Sequence, residues 1–125
     1  ALAGRLAALP VPVVLDHMGG GQAADGPDGP AMRALLRLLE GRNAWVKLSG
    51  YRSARPPYAG VDALAKRLLA AAPERCVWGT DGPHTGFRSE AEMPDDGTLV
   101  DWLHDWTGGD WDRVLVGNPA RLYGF

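Results

Sequence analysis

Three runs of apolar residues along the chain predict β-strands. The runs lie at residues 11–15, 44–48 and 76–78, and they are apolar at nearly every position rather than at every second one. Continuous apolar runs are typical of strands that are covered on both faces, as in a parallel sheet. The sequence therefore predicts three buried, parallel strands.

Between and after these runs, apolar residues recur at helical spacing. The repeat is seen over residues 32–39, 61–72 and 99–106, and Asn118 followed by Pro119 is typical of the cap and first turn of a short last helix. Alternating strands and helices require crossover connections between parallel strands. The predicted fold class is therefore α/β.

Each predicted strand leads into a cluster of polar residues. The clusters are DHMG at 16–19, SGYR at 49–52 and GTDGPH at 79–84. If the strands are parallel neighbours, the clusters converge on one rim, which is the catalytic face in a (β/α) barrel. A carboxylate, two imidazoles, a guanidinium and a phenol at one rim are the groups that a hydrolase uses.

Each of these side chains also has a purely structural interpretation. Asp81 suits a turn, His17 can bond a backbone carbonyl at a strand end, and Arg52 can be a rim residue. Asp16 precedes His17, so it is expected to point to the opposite side and to support a loop or a helix terminus. These alternatives stay open at the level of single residues.

Charge and composition exclude several classes of protein. The 125 residues carry a net charge of −2, and residues 1–62 carry only +2, so a nucleic-acid partner is not expected. No apolar run approaches the length of about 20 residues that spans a bilayer, so no membrane partner is expected. Cys76 is the only cysteine, which excludes an internal disulfide and favours a reducing, cytoplasmic setting.

Five motifs occur in the order known from one family. They are VLDHMG (14–19), WVKLSG (45–50), VWGTDGPH (77–84), MPDDG (93–97) and NPARLYGF (118–125). In this set the chain resembles the amidohydrolase-related family of TIM-barrel hydrolases, and within it the branch of 2-pyrone-4,6-dicarboxylate lactonase-like enzymes. The resemblance covers nearly the whole chain.

The resemblance implies that residues 1–125 form one domain, the C-terminal half of a (β/α)8 TIM barrel, with strands six to eight of the barrel and the C-terminal helices. A complete barrel takes about 250 residues. The family's His-x-His motif after the first barrel strand has no counterpart here. The expected partners are therefore a missing N-terminal half-barrel or a second copy of the chain, together with a small carboxylated substrate.

The resemblance also implies roles for the rim residues. Asp81 corresponds to the base that activates water, and His17 to a histidine at the substrate carbonyl. Arg52 is expected to clamp a substrate carboxylate, with Tyr51 and His84 as further substrate contacts. The lactonase branch implies no cofactor, whereas a metal-dependent branch would hold a divalent cation such as zinc or manganese through His17 and Asp81.

The expected function is hydrolysis of a lactone or ester of a carboxylated small molecule, of the kind met in aromatic degradation. The alternatives are a decarboxylase of the same superfamily and a non-catalytic half-barrel that serves as an assembly unit. Gly82 stands where the family commonly has Trp, so the pocket wall beside Asp81 differs from the family pattern, and Gly117 stands where the family commonly has Asp. The isolated chain is expected to be inactive.

Overall fold

A three-stranded parallel sheet forms the centre of the computed structural model, which describes residues 2–87 and 89–125. The strands β1 (Val13–Leu15), β2 (Ala44–Leu48) and β3 (Cys76–Trp78) lie side by side in chain order. The register aligns Leu15 with Val46 and Val46 with Cys76. The predicted α/β class and the parallel sheet are confirmed.

The first strand is two residues shorter than predicted. Pairing begins at Val13, whose N–H donates to the carbonyl of Asn43 at 2.9 Å. Pro12 has no N–H to donate, so the ladder cannot extend through it. Val11 is consequently exposed, with 57% of its surface accessible.

Five α-helices surround the sheet in the described part of the chain. They are α1 (Leu2–Ala7), α2 (Pro30–Glu40), α3 (Val61–Ala71), α4 (Asp96–Thr107) and α5 (Asn118–Tyr123). Helices α2, α3 and α4 match the predicted periodic segments. Within residues 2–87 and 89–125, every helix is too short or too polar to span a bilayer.

Asn118 does not cap the last helix as predicted. A π-helical turn, Arg113–Gly117, runs directly into α5, and Asn118 itself has helical backbone angles. Its side-chain nitrogen instead donates to the carbonyls of Pro73 and Cys76, at 2.8 and 2.7 Å. Asn118 therefore fastens the last helix to the start of β3.

The core lies between one face of the sheet and the helices. It is filled by fully or nearly fully buried side chains from both: Leu35, Leu39, Val46, Leu48, Leu64, Leu68, Cys76 and Leu103. Because side chains alternate along a strand, Trp45 and Lys47 project from the other face of β2. Trp45 lies there beneath the guanidinium of Arg121, 5.8 Å from the ring centroid. The face of β2 that points away from this core thus carries the charged side chain of Lys47 towards the rim.

Short helical turns follow the strands at the rim. The turn His17–Gly20 follows β1 and Gly50–Ser53 follows β2. His17 and Met18 have φ values of 50° and 51°, which turn the chain sharply out of the strand direction. Met18 is fully buried, so its packing holds this turn in place and fixes where His17 points.

Candidate functional site

The carboxylate of Asp81 is the meeting point of the three strand ends. Its Oδ2 accepts hydrogen bonds from the Tyr51 hydroxyl at 2.7 Å and from Arg52 Nε at 3.0 Å. Its Oδ1 accepts one from Lys47 Nζ at 3.1 Å. His17 Nδ1 lies 3.7 Å from Oδ2. Four of the predicted site residues, His17, Tyr51, Arg52 and Asp81, thus share one rim of the sheet.

These neighbours set the protonation state of Asp81. Partial burial raises its pKa, but the hydrogen bonds from Tyr51, Arg52 and Lys47, with the charge of His17, outweigh burial and hold the pKa well below its usual range. Asp81 is therefore ionised at neutral pH, which is the state that a general base requires. The same donors weaken its affinity for a proton.

Tyr51 is a neutral hydrogen-bond donor in this cluster. Burial and, next, the adjacent Asp81 carboxylate raise the pKa of its phenol to about 12. The ring is 2% exposed and is packed edge-to-face on His84, with 5.1 Å between centroids. Tyr51 therefore keeps its proton at neutral pH and holds a fixed position beside Asp81.

Arg52 is already committed to protein acceptors. Nε donates to Asp81, Nη2 donates to the carbonyl of Thr85 at 3.1 Å, and the guanidinium carbon lies 5.1 Å from the Tyr51 ring centroid. The hydrogen bond to Asp81 raises the pKa of the guanidinium further. In this arrangement Arg52 can offer Nη1 to a substrate carboxylate, and a bidentate grip requires one existing bond to open.

His17 is tied to the second strand end as well as to Asp81. Its Nδ1 lies 3.2 Å from the hydroxyl of buried Ser49, and 31% of its side chain is exposed. The other ring nitrogen, Nε2, has no hydrogen-bond partner among the described residues. His17 can therefore present Nε2 to a substrate oxygen while Ser49 orients the ring.

The sequence predicts His84 as a substrate contact, but the structure places its ring behind Tyr51. The His84 ring is 6% exposed, with Nε2 2.8 Å from Asp96 Oδ1 at the start of α4. Nδ1 is buried and has no hydrogen-bond partner among the described residues. The structure thus favours a role for His84 in fixing Tyr51 over direct contact with a substrate.

The prediction that Asp16 points away from the site is wrong. The register aligns Val14 with Trp45, so Asp16, two residues further along, comes to lie beside Lys47. The distance from Asp16 Oδ1 to Lys47 Nζ is 2.9 Å. His17 reaches the same side because its positive φ breaks the strand alternation.

Lys47 is a site residue that the sequence analysis did not identify. It comes from within β2, its side chain is 21% exposed, and it bonds both Asp16 and Asp81. Burial lowers its pKa, but the two carboxylates outweigh burial and raise it, so Lys47 is charged. The signal in the sequence was one lysine inside an otherwise apolar strand.

A cavity of about 1150 Å³ opens beside Tyr51 and Arg52. Its other walls are formed by Gln22, residues 55–59 and residues 91–95. The volume is slightly above the range of about 300–1,000 Å³ found for small-molecule pockets. The site therefore has open space next to the Arg52 guanidinium.

The side chains of this chain alone do not fit a metal ion. Among the described residues no group of three or more His, Cys, Asp or Glu side chains converges. His17 and Asp81 are adjacent, but the Asp81 oxygens are held by the cations Lys47 and Arg52 and by Tyr51. A catalytic zinc site takes three protein ligands.

Cys76 takes no part in the site. It is fully buried in β3, and burial raises the pKa of its thiol to about 12. His104 is exposed on α4, and its ring packs edge-to-face with Trp111, with 5.4 Å between centroids. Neither side chain reaches the rim that carries Asp81.

Comparison with known proteins agrees with the resemblance in the motifs. The profile of the amidohydrolase family matches residues 1–125. The chain belongs to the amidohydrolase family. The profile describes the family as a whole, whereas individual relatives indicate which members of the family the chain resembles.

Three curated relatives act on lactones or related compounds, according to their names. The chain is 41% identical to 4-sulfomuconolactone hydrolase of Hydrogenophaga intermedia over 98% of its length, and 43% identical to D-galactarolactone isomerase of Agrobacterium fabrum over 88%. It is 35% identical to 2-pyrone-4,6-dicarboxylate hydrolase of Comamonas testosteroni over 93%. The chain spans 39 to 42% of the length of these relatives.

A solved structure shows the same fold in a longer amidohydrolase-type chain. The apo structure of an Agrobacterium tumefaciens protein superposes with a TM-score of 0.79 and 38% identity, covering 98% of this chain and 45% of that one. This chain therefore has the fold of part of that longer protein, less than half of its length.

Proposed function

We propose that this chain supplies the water-activating part of the active site of a lactone hydrolase of the amidohydrolase family. The observation that carries the proposal is the ionised Asp81 carboxylate, held by Lys47, Tyr51 and Arg52 beside His17. Because the chain spans less than half of its relatives, the remainder of a barrel would complete the site. The relatives' named substrates support a small lactone as the substrate class.

In the proposed reaction, Asp81 accepts a proton from a water molecule as the water oxygen attacks the lactone carbonyl carbon. His17, through Nε2, hydrogen-bonds the carbonyl oxygen and stabilises the negative charge that develops on it. The ring C–O bond then breaks, and the proton held by Asp81 passes to the leaving alkoxide. The products are a hydroxyl group and a carboxylic acid, so atoms and charges balance.

Arg52 links substrate binding to the strength of the base. In the present arrangement its Nε bond helps to lower the pKa of Asp81. A substrate carboxylate that draws the guanidinium towards itself removes part of that effect, and Asp81 becomes a stronger proton acceptor. The adjoining cavity gives a carboxylated substrate access to this guanidinium.

One relative favours a second candidate, isomerisation of a lactone. The D-galactarolactone isomerase shares 43% identity with the chain. In an isomerase the same base would activate a hydroxyl group of the substrate in place of water. Turnover in water enriched in heavy oxygen separates the two, because only hydrolysis places solvent oxygen in the product.

A segment replacement tests the proposal. The aligned 128-residue segment of the Hydrogenophaga hydrolase is exchanged for this chain, and hydrolysis of that enzyme's lactone is measured. Turnover is expected, and Asp81→Asn is expected to lower kcat by about 10²–10⁴-fold in a hybrid that still folds. A folded hybrid with no lactone turnover, or one whose turnover ignores Asp81→Asn, would contradict the proposal.

A further inference from the structure

One ammonium group joins all three strand ends. Lys47 projects from β2, and its Nζ lies 2.9 Å from Oδ1 of Asp16, which follows β1. It lies 3.1 Å from Oδ1 of Asp81, in the loop after β3. Because Lys47 is 21% exposed and Asp16 is 58% exposed, the bridge runs from the site towards solvent.

The bridge fixes the orientation of the Asp81 carboxylate. The terminal torsion of an aspartate is broad and has no sharp minimum, so hydrogen bonds must set it. Tyr51 and Arg52 hold Oδ2 from one side, and Lys47 holds Oδ1 from the other. With Lys47 removed, every remaining side-chain donor among residues 2–87 and 89–125 acts on Oδ2, and the carboxylate plane is free to turn about that oxygen.

We propose that Lys47 is a positioning residue, which holds the Asp81 carboxylate in the orientation that proton transfer from water requires. The role rests on the proposed function. Lys47 and Arg52 place two positive charges beside the single negative charge of Asp81. Asp16 supplies the second negative charge, through its contact with Lys47. Small errors in the position of a reacting group cost about 10²-fold in rate, so an orienting contact has a measurable effect.

The alternative is that the ion pairs only stabilise the sheet. Partly exposed ion pairs contribute little net stability, so this alternative predicts small and equal effects for any removed lysine. The chain contains one other lysine, Lys66, which is 54% exposed and forms an i,i+4 pair with Asp62 on α3. Lys66→Met is therefore the matched control for Lys47→Met.

The kinetic test uses the hybrid enzyme described above. Lys47→Met is expected to lower kcat by at least about tenfold while KM stays within about threefold, because orientation matters to the reaction more than to binding. Lys47→Arg, which keeps a cation at the position, is expected to recover most of the loss, and Lys66→Met to change neither constant. An unchanged kcat in Lys47→Met would overturn the proposal.

A second measurement on the 125-residue chain separates failure of this proposal from failure of the proposed function. In carboxyl-carbon NMR, the resonances of Asp16 and Asp81 are both expected to shift in Lys47→Met and to stay in place in Lys66→Met. If the unsubstituted hybrid is inactive, the hydrolase proposal fails. These spectra then still decide whether Lys47 holds the Asp81 carboxylate. An Asp81 resonance that is unmoved in Lys47→Met would overturn the positioning role.

If Lys47→Met does not fold, a measurement on the unsubstituted chain still tests the contact of Lys47 with the two carboxylates. A lysine ammonium held by two carboxylates exchanges its protons slowly, so Lys47 is expected to give a visible side-chain ammonium signal and Lys66 none. Asp81→Asn is expected to weaken the Lys47 signal. Absence of the signal from the unsubstituted chain would refute the bridge.

Discussion

The Asp81 carboxylate is the centre of the polar contacts at the rim. Three hydrogen-bond donors and the histidine ring surround a carboxylate that is 19% exposed. Such a group is costly to protonate in the native state, since protonation removes the charge that the donors stabilise. The consequence is a link between folding and pH.

The chain is expected to lose stability in acid because of Asp81. Its pKa is lowered on folding, so the stabilisation is fully present above the unfolded value of about 4 and is lost as pH falls through the folded value. The urea midpoint, followed from pH 6 downwards, should therefore decrease, and Asp81→Asn should flatten that decrease. Asp62→Asn, at an exposed carboxylate on α3, is the control and should leave the slope in acid nearly unchanged.

Gly50 is required for close packing beneath the rim. A Cβ at this position would lie 2.5 Å from Val61 Cγ1 and 2.9 Å from Trp106 Cη2. Gly50→Ala is expected to destabilise the chain by about 1–3 kcal/mol, measured by urea unfolding, because a tightly packed core resists added atoms. Gly117→Ala, where nothing lies within 4 Å of the new Cβ, should be neutral or stabilising by up to about 1 kcal/mol. Equal effects of the two substitutions would contradict this explanation.

The positions of some site residues could be predicted from the sequence, and those of others could not. Asp81, His17 and Arg52 could be placed at one rim because residues that follow parallel strands must converge there. The neighbours Asp16 and Lys47 could not be paired, because the strand register that aligns them is not written in the apolar pattern. The burial of His84 likewise depends on a loop turn at φ 56° that no local signal fixes.

At the level of elements, a short helical turn follows β1 and another follows β2, and both carry polar residues of the rim. The strands and the three long helices were predictable because their apolar periodicity is strong, while the ends were set by local chemistry such as Pro12. The π-helical turn at Arg113–Gly117 was not predictable, because Asn118 looks like a cap in sequence and serves as a tether in the structure. The last helix therefore depends on that tether.

Loss of the tether should be costly. Asn118 is 1% exposed, and Asn118→Ala leaves the carbonyls of Pro73 and Cys76 without this donor. We expect a loss of about 2–4 kcal/mol in the free energy of unfolding, since each unsatisfied buried group costs about 1–3 kcal/mol. The only other asparagine, Asn43, donates to Leu9 from a more exposed position, so Asn43→Ala should cost less than about 1 kcal/mol. Equal losses in the two variants would show that α5 does not depend on Asn118.

On the scale of the whole molecule, the sheet is open. In the described part of the chain β1 and β3 each pair on one side only, so both edges present backbone groups that lack a strand partner. The residues of β1 are only half-buried. Exposed apolar side chains also gather near the last helix, where Val116, Tyr123 and Phe125 are 60%, 63% and 80% exposed.

The 125-residue chain is therefore expected to self-associate. Contact with another polypeptide supplies hydrogen-bond partners to open strand edges and buries exposed apolar side chains. Sedimentation velocity at micromolar concentration should show dimers or larger species, and Val116→Lys should reduce their share. A cooperatively folded monomer under these conditions would argue that the open sheet is stable by itself.

The chain order of the strands also has a consequence for inheritance. Because β1, β2 and β3 are neighbours both in space and along the chain, every described side chain that contacts the Asp81 carboxylate is encoded between residues 17 and 81. A single genetic crossover upstream of this stretch would transmit the carboxylate and all its donors together. A crossover between residues 53 and 80 would instead join Asp81 from one parent to the lysine, tyrosine and arginine positions of the other. In recombinant genes with a crossover in that interval, the charged groups around Asp81 come from two parents. Their charges then have to be balanced again.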